Sequence, residues 1–254
     1  MSKDIQQDAQ KGERIAKFMA RAGLCSRREA ERWIEKGRVQ VNGQKLTSPA
    51  CVVTDKDEVI VDGKKIGAAQ DTRLFMFHKT TGVITSNKDP EGRPTIFDRL
   101  PDNIPRLVTV GRLDMNTEGL LLLTNDGELS RYLELPATGW KRKYRVRVHG
   151  RVDDKKLAIL KKGLTHEGVR YKPIIAELES QNGTNSWLSV TLTEGKNREV
   201  RRAMDAVGLT VNRLIRVSYG PFNLGNMPKN AIEEVKPSVM KQQIPAYFKS
   251  GKSG

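Results

Sequence analysis

Gly111-Arg112-Leu113-Asp114-Met115-Asn116-Thr117-Glu118-Gly119, running into Leu120-Leu121-Leu122-Leu123-Thr124-Asn125-Asp126-Gly127, is the stretch whose reading decides the fold. It sets one carboxylate, Asp114, between two apolar runs, Leu107-Val108-Thr109-Val110 and Leu120 to Leu123. Short apolar runs bounded by Gly and Asn-Asp-Gly read as buried strands. Asp114 then lies where a core strand ends and the backbone turns, among polar neighbours small enough to admit a ligand. On composition alone an Asp that caps a turn or pairs with Arg112 is the better explanation, because ion-pair networks mimic sites.

The rest of the chain narrows the choice. At 254 residues it holds one large domain, or a small domain plus a larger one. A formal net charge of +15 favours partners rich in phosphate, bound with a steep salt dependence. Cys25 and Cys51 stand apart with no Cys-x-x-Cys pair, and His78, His149 and His166 are scattered. That pattern argues against zinc and against a disulfide scaffold, and fits a reducing compartment. No apolar run approaches the roughly 20 residues that cross a bilayer. Met1 to Gln10 is polar, without the core of a signal peptide, so the cytoplasm is the expected location.

Residues 12–66 read as a small unit of two helices and hairpins. Ile15, Phe18, Met19 and Ala22 share one helical face, and Gly23 closes that helix. Ser26 with Glu29 forms a capping box for a second helix that stops at Gly37. Asn42-Gly43 and Asp62-Gly63 each sit between alternating segments and predict two hairpins. Arg14, Lys17 and Arg21 recur at helical spacing away from the apolar face, and Arg27, Arg28 and Arg32 crowd the start of the second helix. Helix N-termini and arginines both suit phosphate, so this face is expected to bind nucleic acid.

Residues 67–72 are small and polar and read as a linker. The second unit is expected over 73–236, followed by a basic tail over 237–254. Leu74 to Phe77 opens as a strand that Gly82 to Thr85 resumes, and Lys143 to Val148 alternates as a half-buried strand. Asp153 to Lys162 reads as a helix and Trp187 to Leu192 as a strand. Asn197 is placed as the cap of a helix over 198–207, and Val211 to Val217 as the closing strand. Many strands with few, separated helices predict an α+β fold with a mixed, mainly antiparallel sheet. Phosphate-loop and dinucleotide-binding glycine patterns are absent.

The Asp114 string resembles the catalytic motif of the RsuA/RluB-type pseudouridine synthases: Gly-Arg-Leu-Asp, a few residues including Thr, then Gly and a leucine run ending in Thr-Asn/Asp-Gly. Lys143-Tyr144-Arg145-Val146 and Glu194-Gly195-Lys196-Asn197-Arg198-Glu199-Val200-Arg201-Arg202 match two further motifs of that family. Ala-Gly-x-x-Ser-Arg-Arg-Glu-Ala followed by Gly-Arg-Val-x-Val-Asn-Gly resembles the S4-like RNA-binding domain across the whole first unit. The resemblance implies that Asp114 is the catalytic residue, that Tyr144 stacks on the target base, and that Arg201 pairs with Asp114. Arg198 and Arg202 are the alternatives for that pairing, and Arg112 is assigned to the adjacent RNA backbone. It also implies ribosomal RNA as partner and no metal or cofactor. Gly-Arg-Pro-Thr-Ile-Phe-Asp-Arg-Leu-Pro and the Glu-Gly-x-Asn-Arg segment look closer to the large-subunit (RluB-like) branch.

The chemistry agrees with that implication. An aspartate, with a reference pKa of about 3.9, is almost wholly ionised at neutral pH. A lone carboxylate is a poor general acid but serves as nucleophile or base. Glycoside hydrolysis normally needs two carboxylates, and Glu118 has no matched role as a second. Isomerising uridine to pseudouridine breaks an N-glycosidic bond and rejoins the base through carbon without redox change. The target base must be unpaired or flipped out to be reached. Leu192 and Leu214 are placed as walls of the pocket. Whether Asp114 attacks the ribose, attacks the base or removes a ribose proton stays open. So does a non-catalytic role in ribosome assembly or the same activity on small-subunit rRNA. A monomer is the default expectation.

Overall fold

The computed structural model describes residues 12–54, 56–67, 70–87 and 89–249, so the expectation on Met1 to Gln10 lies outside the described residues. The chain divides into two compact units, the second beginning at Arg73.

In the first unit, helix α1 (Ile15–Arg21) and helix α2 (Arg27–Glu35) pack against strands β1 (Val39–Val41), β2 (Gln44–Lys45), β3 (Val59–Val61) and β4 (Lys64–Lys65). The capping box forms: Glu29 N–H donates to Ser26 Oγ at 3.1 Å, and Ser26 N–H donates to Glu29 Oε2 at 3.2 Å. Asn42-Gly43 and Asp62-Gly63 take positive φ at both residues, the geometry of tight hairpin turns. Ile15, Met19, Ala30, Ile34, Val39 and Val53 are wholly buried and form the core.

The second unit is built on a nine-stranded sheet. Its main strands are β5 (Leu74–Lys79), β6 (Val108–Val110), β7 (Glu118–Thr124), β8 (Arg142–His149), β9 (Ile175–Asn182), β10 (Asn185–Leu192), β11 (Thr210–Tyr219) and β12 (Ile232–Glu234). The order is β9-β10-β8-β11-β7-β5-β12, with β6 also on β7 and a short strand, Phe222–Asn223, on β11. Every pairing in this sheet is antiparallel except β11 with β7. The architecture is α+β, as the alternation of apolar runs predicts.

Strand β7 is the axis of this unit. One of its edges pairs along its length with β5. The other is divided: Glu118 and Gly119 pair with Ile215 and Arg216 of β11, and Leu122 to Thr124 pair with β6. All of β7 is buried, which explains an unbroken apolar run. Leu120 and Leu122 pack with Leu129 and Leu133 of helix α3 (Gly127–Glu134). Leu121 and Leu123 share a cluster with Phe77, Val146, Leu188, Leu160 of helix α4 (Asp154–Lys162) and Met204 of helix α5 (Glu199–Ala206). Gly119 is fixed by close approach. It has φ +106°, and a Cβ there would lie 2.2 Å from the Arg216 carbonyl oxygen.

Three expectations are corrected. Gly82 to Thr85 does not rejoin the sheet, because its polar groups are taken elsewhere: Gly82 N–H donates to Met115 O, and Ile84 bridges Thr95. Asn197 does not cap α5; Arg198 holds the cap position in the left-handed region, with no side-chain cap bond. Residues 237–249 of the expected tail fold as helices α6 (Pro237–Gln243) and α7 (Pro245–Lys249), and the remainder lies outside the described residues. Met240, Ile244 and Tyr247 are spaced at helical intervals, join the core beside Leu129 and Leu133, and are buried. Tyr247 Oη donates to Asp126 Oδ2 at 2.6 Å, tying α7 to the residue that caps α3.

Substituting Gly119→Ala should destabilise the protein by about 3 kcal/mol or more, since backbone rather than a pliable side chain must give way. Tyr247→Ala should cost about as much through the emptied core. Denaturant titrations check both, and wild-type midpoints would contradict this packing.

Candidate active site

The segment between β6 and β7, residues 111–117, is held from several directions. Lys79 closes β5 and is wholly buried. Its Nζ donates to the carbonyl oxygens of Thr80 at 3.0 Å, Asp114 at 3.0 Å and Thr117 at 2.9 Å. Thr85 Oγ1 donates to Leu113 O at 2.8 Å, and Gly111 N–H donates to Glu134 Oε1 at 2.9 Å. Thr117 N–H returns to Asp114 O at 3.0 Å, closing a tight turn. Burial pushes the Lys79 pKa down to about 8, against the opposing pull of the Asp114 and Glu118 carboxylates.

This turn sets Asp114 on the wall of a cavity of about 720 Å³, with its side chain 31% exposed. Tyr144, Leu192 and Leu214 line the same cavity and are nearly buried. Tyr144 is there because β8 alternates strictly, with Arg142, Tyr144, Val146 and Val148 turned inward. Arg112 is exposed and also lines the wall.

The three basic residues of the Glu194 to Arg202 segment divide the work differently from the expected pairing. Arg198 Nη1 lies 3.8 Å from Asp114 Oδ2. Arg201 instead donates from Nη2 to Asn116 O at 2.8 Å and from Nη1 to Val211 O at 3.1 Å, buttressing the backbone of the Asp114 loop. Arg202 lies 3.8 Å from Glu167. The reason is positional. Arg198, left-handed at φ 49°, stands ahead of the first helical turn and lines the cavity, whereas Arg201 faces β11 from within α5. Burial and the neighbouring Arg198 lower the Arg201 pKa, which Asp114 opposes.

Sequence reading missed three inward-facing cations. Lys79, Arg142 and Arg216 are 0%, 7% and 3% exposed. Arg142 lies on the inward set of β8, so its alternation with Tyr144 was the available signal. Lys79 ends an apolar strand and Arg216 interrupts Leu214-Ile215-Arg216-Val217; a lone charge in such a run is a sign of burial. Arg142 donates to Thr193 O at 2.7 Å, to Trp140 O at 3.1 Å and to Tyr219 Oη at 2.9 Å. Glu118 is occupied: Arg213 grips it through two bonds of 2.7 and 3.0 Å, and Arg213 holds its pKa below the usual carboxylate range. Among the described residues no group of three or more His, Cys, Asp or Glu can hold a metal ion, and no helix is long and apolar enough to cross a membrane.

In the first unit Arg27, Arg28 and Arg32 are exposed on α2, and Arg14 is exposed ahead of α1. Lys17 and Arg21 both pair with Glu13, at 3.2 and 2.7 Å.

Arg213→Gln should destabilise the protein at neutral pH by on the order of 1 kcal/mol, since the guanidinium is half-exposed and screened. Glu118 has a depressed folded-state pKa. The stabilisation is therefore full above the ordinary carboxylate value and lost as pH falls through the depressed one. Unfolding free energies of the two proteins should converge in acid, and a gap independent of pH would contradict the pairing.

Comparison with known proteins follows the same division. A family described as RNA pseudouridylate synthase matches residues 73–206, and the S4 domain matches residues 13–59. An uncharacterized RNA pseudouridine synthase of Rickettsia felis is 43% identical over 91% of this chain and 100% of its own length. The ribosomal large subunit pseudouridine synthase B of Salmonella typhi is 47% identical over 84% of this chain and 75% of its own. A solved pseudouridylate synthase superposes with a TM-score of 0.63 at 27% identity, over 91% of this chain and 99% of that one. With its loop-borne aspartate, inward tyrosine and basic helix start on one mixed sheet, the chain belongs to the RsuA/RluB family of RNA pseudouridine synthases, an S4 domain preceding the synthase domain.

Proposed function

We propose that this protein isomerises a specific uridine of large-subunit ribosomal RNA to pseudouridine, with Asp114 as the catalytic residue. The observation that carries the reading is the Asp114 carboxylate set into a cavity walled by Tyr144, on a turn that Lys79 and Arg201 hold by its carbonyls. A flipped uridine stacks its base on Tyr144 and presents its sugar to Asp114. Arg198 orients the carboxylate, and Arg112 meets the RNA backbone. The aliphatic walls Leu192 and Leu214 keep water from the base. No step requires a metal or nucleotide cofactor. The choice of the large subunit is supported by the relatives named for that activity, 44 and 47% identical to this chain.

Arg27, Arg28, Arg32 and Arg14 hold RNA through phosphate contacts. The protein works as a monomer in the cytoplasm, where its substrate is made.

Incubation with protein-free large-subunit rRNA should yield pseudouridine at one position. Asp114→Asn should remove at least about 1,000-fold of the single-turnover rate while RNA affinity stays within a few-fold. Substantial turnover by that variant would defeat the role of Asp114. Product on small-subunit rRNA alone would reassign the substrate. Replacing Arg27, Arg28 and Arg32 together with Gln should weaken RNA binding and flatten its dependence on salt by about 2 to 3 in slope. An unchanged slope would remove this face from the interface.

A further inference from the structure

Among the described residues, buried side-chain atoms without a hydrogen-bond partner include Thr117 Oγ1, Glu199 Oε1 and Arg216 Nη2. All three residues wall the cavity that holds Asp114. Arg216 stands out because its charge is permanent. Only 3% exposed, it donates from Nε to Leu120 O at 2.7 Å and lies 5.1 Å from the centre of the Tyr219 ring. No carboxylate among the described residues forms an ion pair with it. The other buried cations spend their protons on protein oxygens, Lys79 on loop carbonyls and Arg142 on Trp140, Thr193 and Tyr219. Arg216 is also the cross-strand partner of Tyr144, so the unpaired guanidinium is a neighbour of the ring assigned to the base.

A buried cation with neither a counter-ion nor a full set of hydrogen bonds is costly to fold, a cost that a charge arriving later offsets. Breaking the C1′–N1 bond of uridine creates such a charge. The bonding pair leaves with the base and spreads into its ring and its O2 and O4 oxygens, while C1′ is left electron-deficient beside the Asp114 carboxylate until the base returns. We propose that Arg216 stabilises the detached uracil anion, a role that rests on the reading of this cavity as the uridine site. The base then turns, C5 supplies the pair for the new C1′–C5 bond, the C5 proton departs and N1 gains a proton. No oxidant, reductant or water is consumed. A preorganised guanidinium in the cavity wall lowers such a barrier because it needs no reorientation as the charge appears.

The test uses the full-length protein and a transcript spanning its target site, made with either uridine or 5-fluorouridine, and follows loss of the N-linked nucleoside under single-turnover conditions. Fluorine stabilises the departing base by itself. Arg216→Gln should slow the uridine transcript by about 100-fold with RNA affinity within threefold, a loss typical of one missing anion-stabilising donor. The defect should shrink at least about tenfold on 5-fluorouridine, and Arg216→Lys should recover part of the rate. Equal losses on both transcripts, or a loss confined to RNA affinity as for a phosphate contact, would overturn the proposal. Should Arg216→Gln fail to fold by circular dichroism, Arg216→Lys carries the comparison, and an unshifted ratio between the two transcripts overturns it. Absence of product from the wild-type protein would defeat the functional reading and this role with it.

Discussion

A buried ammonium organises the centre of the synthase domain. Lys79 ends the strand beside β7 and turns its three protons toward carbonyl oxygens of Thr80, Asp114 and Thr117. Taking that charge out of water costs several kcal/mol, which charge-assisted hydrogen bonds in a dry interior offset. Those bonds hold the backbone from Asp114 to Thr117, and Thr85 Oγ1 on Leu113 O holds the side before it, so the loop is fixed before any ligand arrives. Arg201 adds Asn116 O to the same scaffold. Such preorganisation is what a lone carboxylate needs, because the direction of its approach decides what it can do.

Around that anchor the charges are layered. The sheet interior carries Lys79, Arg142 and Arg216, and the cavity rim carries Arg112 and Arg198. The Glu118 carboxylate is held by Arg213 on the neighbouring strand, which leaves Asp114 as the acid presented by this loop. A polyanionic ligand thus meets exposed cations at the rim; deeper, Lys79 and Arg142 are committed to protein oxygens, and Arg216 keeps one donor without a partner. Gly119 permits the arrangement: without a side chain, β7 approaches β11 closely enough for Arg216 to reach Leu120 O.

The strongly periodic elements were legible in the sequence. Leu120 to Leu123 reads as a strand buried on both faces, and Lys143 to Val148 as one buried on a single face, because burial alone sets those patterns. The capping box at Ser26 and the two positive-φ turns are local chemistry and needed no tertiary knowledge. What failed depended on distant partners. Gly82 to Thr85 has strand-like residues but gives its hydrogen bonds to Met115 and the Pro94 to Ile96 stretch. Residues 237–249 look like a basic tail until Met240, Ile244 and Tyr247 meet helix α3. Asp114, Tyr144 and the basic segment were visible as motifs. Which arginine meets the carboxylate was not, since it turns on the left-handed backbone at Arg198. Lys79, Arg142 and Arg216 were hidden because charged residues are read as surface by default, although each sits at an inward position of its strand.

In the proposed reaction Asp114 meets a pyrimidine nucleoside drawn into the cavity. A crystal structure of the protein bound to an RNA fragment carrying 5-fluorouridine at the target position tests this most directly. The extruded base should lie against the Tyr144 ring, with the Asp114 carboxylate in contact with the nucleoside. A base held outside the cavity, with Asp114 facing only protein or solvent, would contradict it.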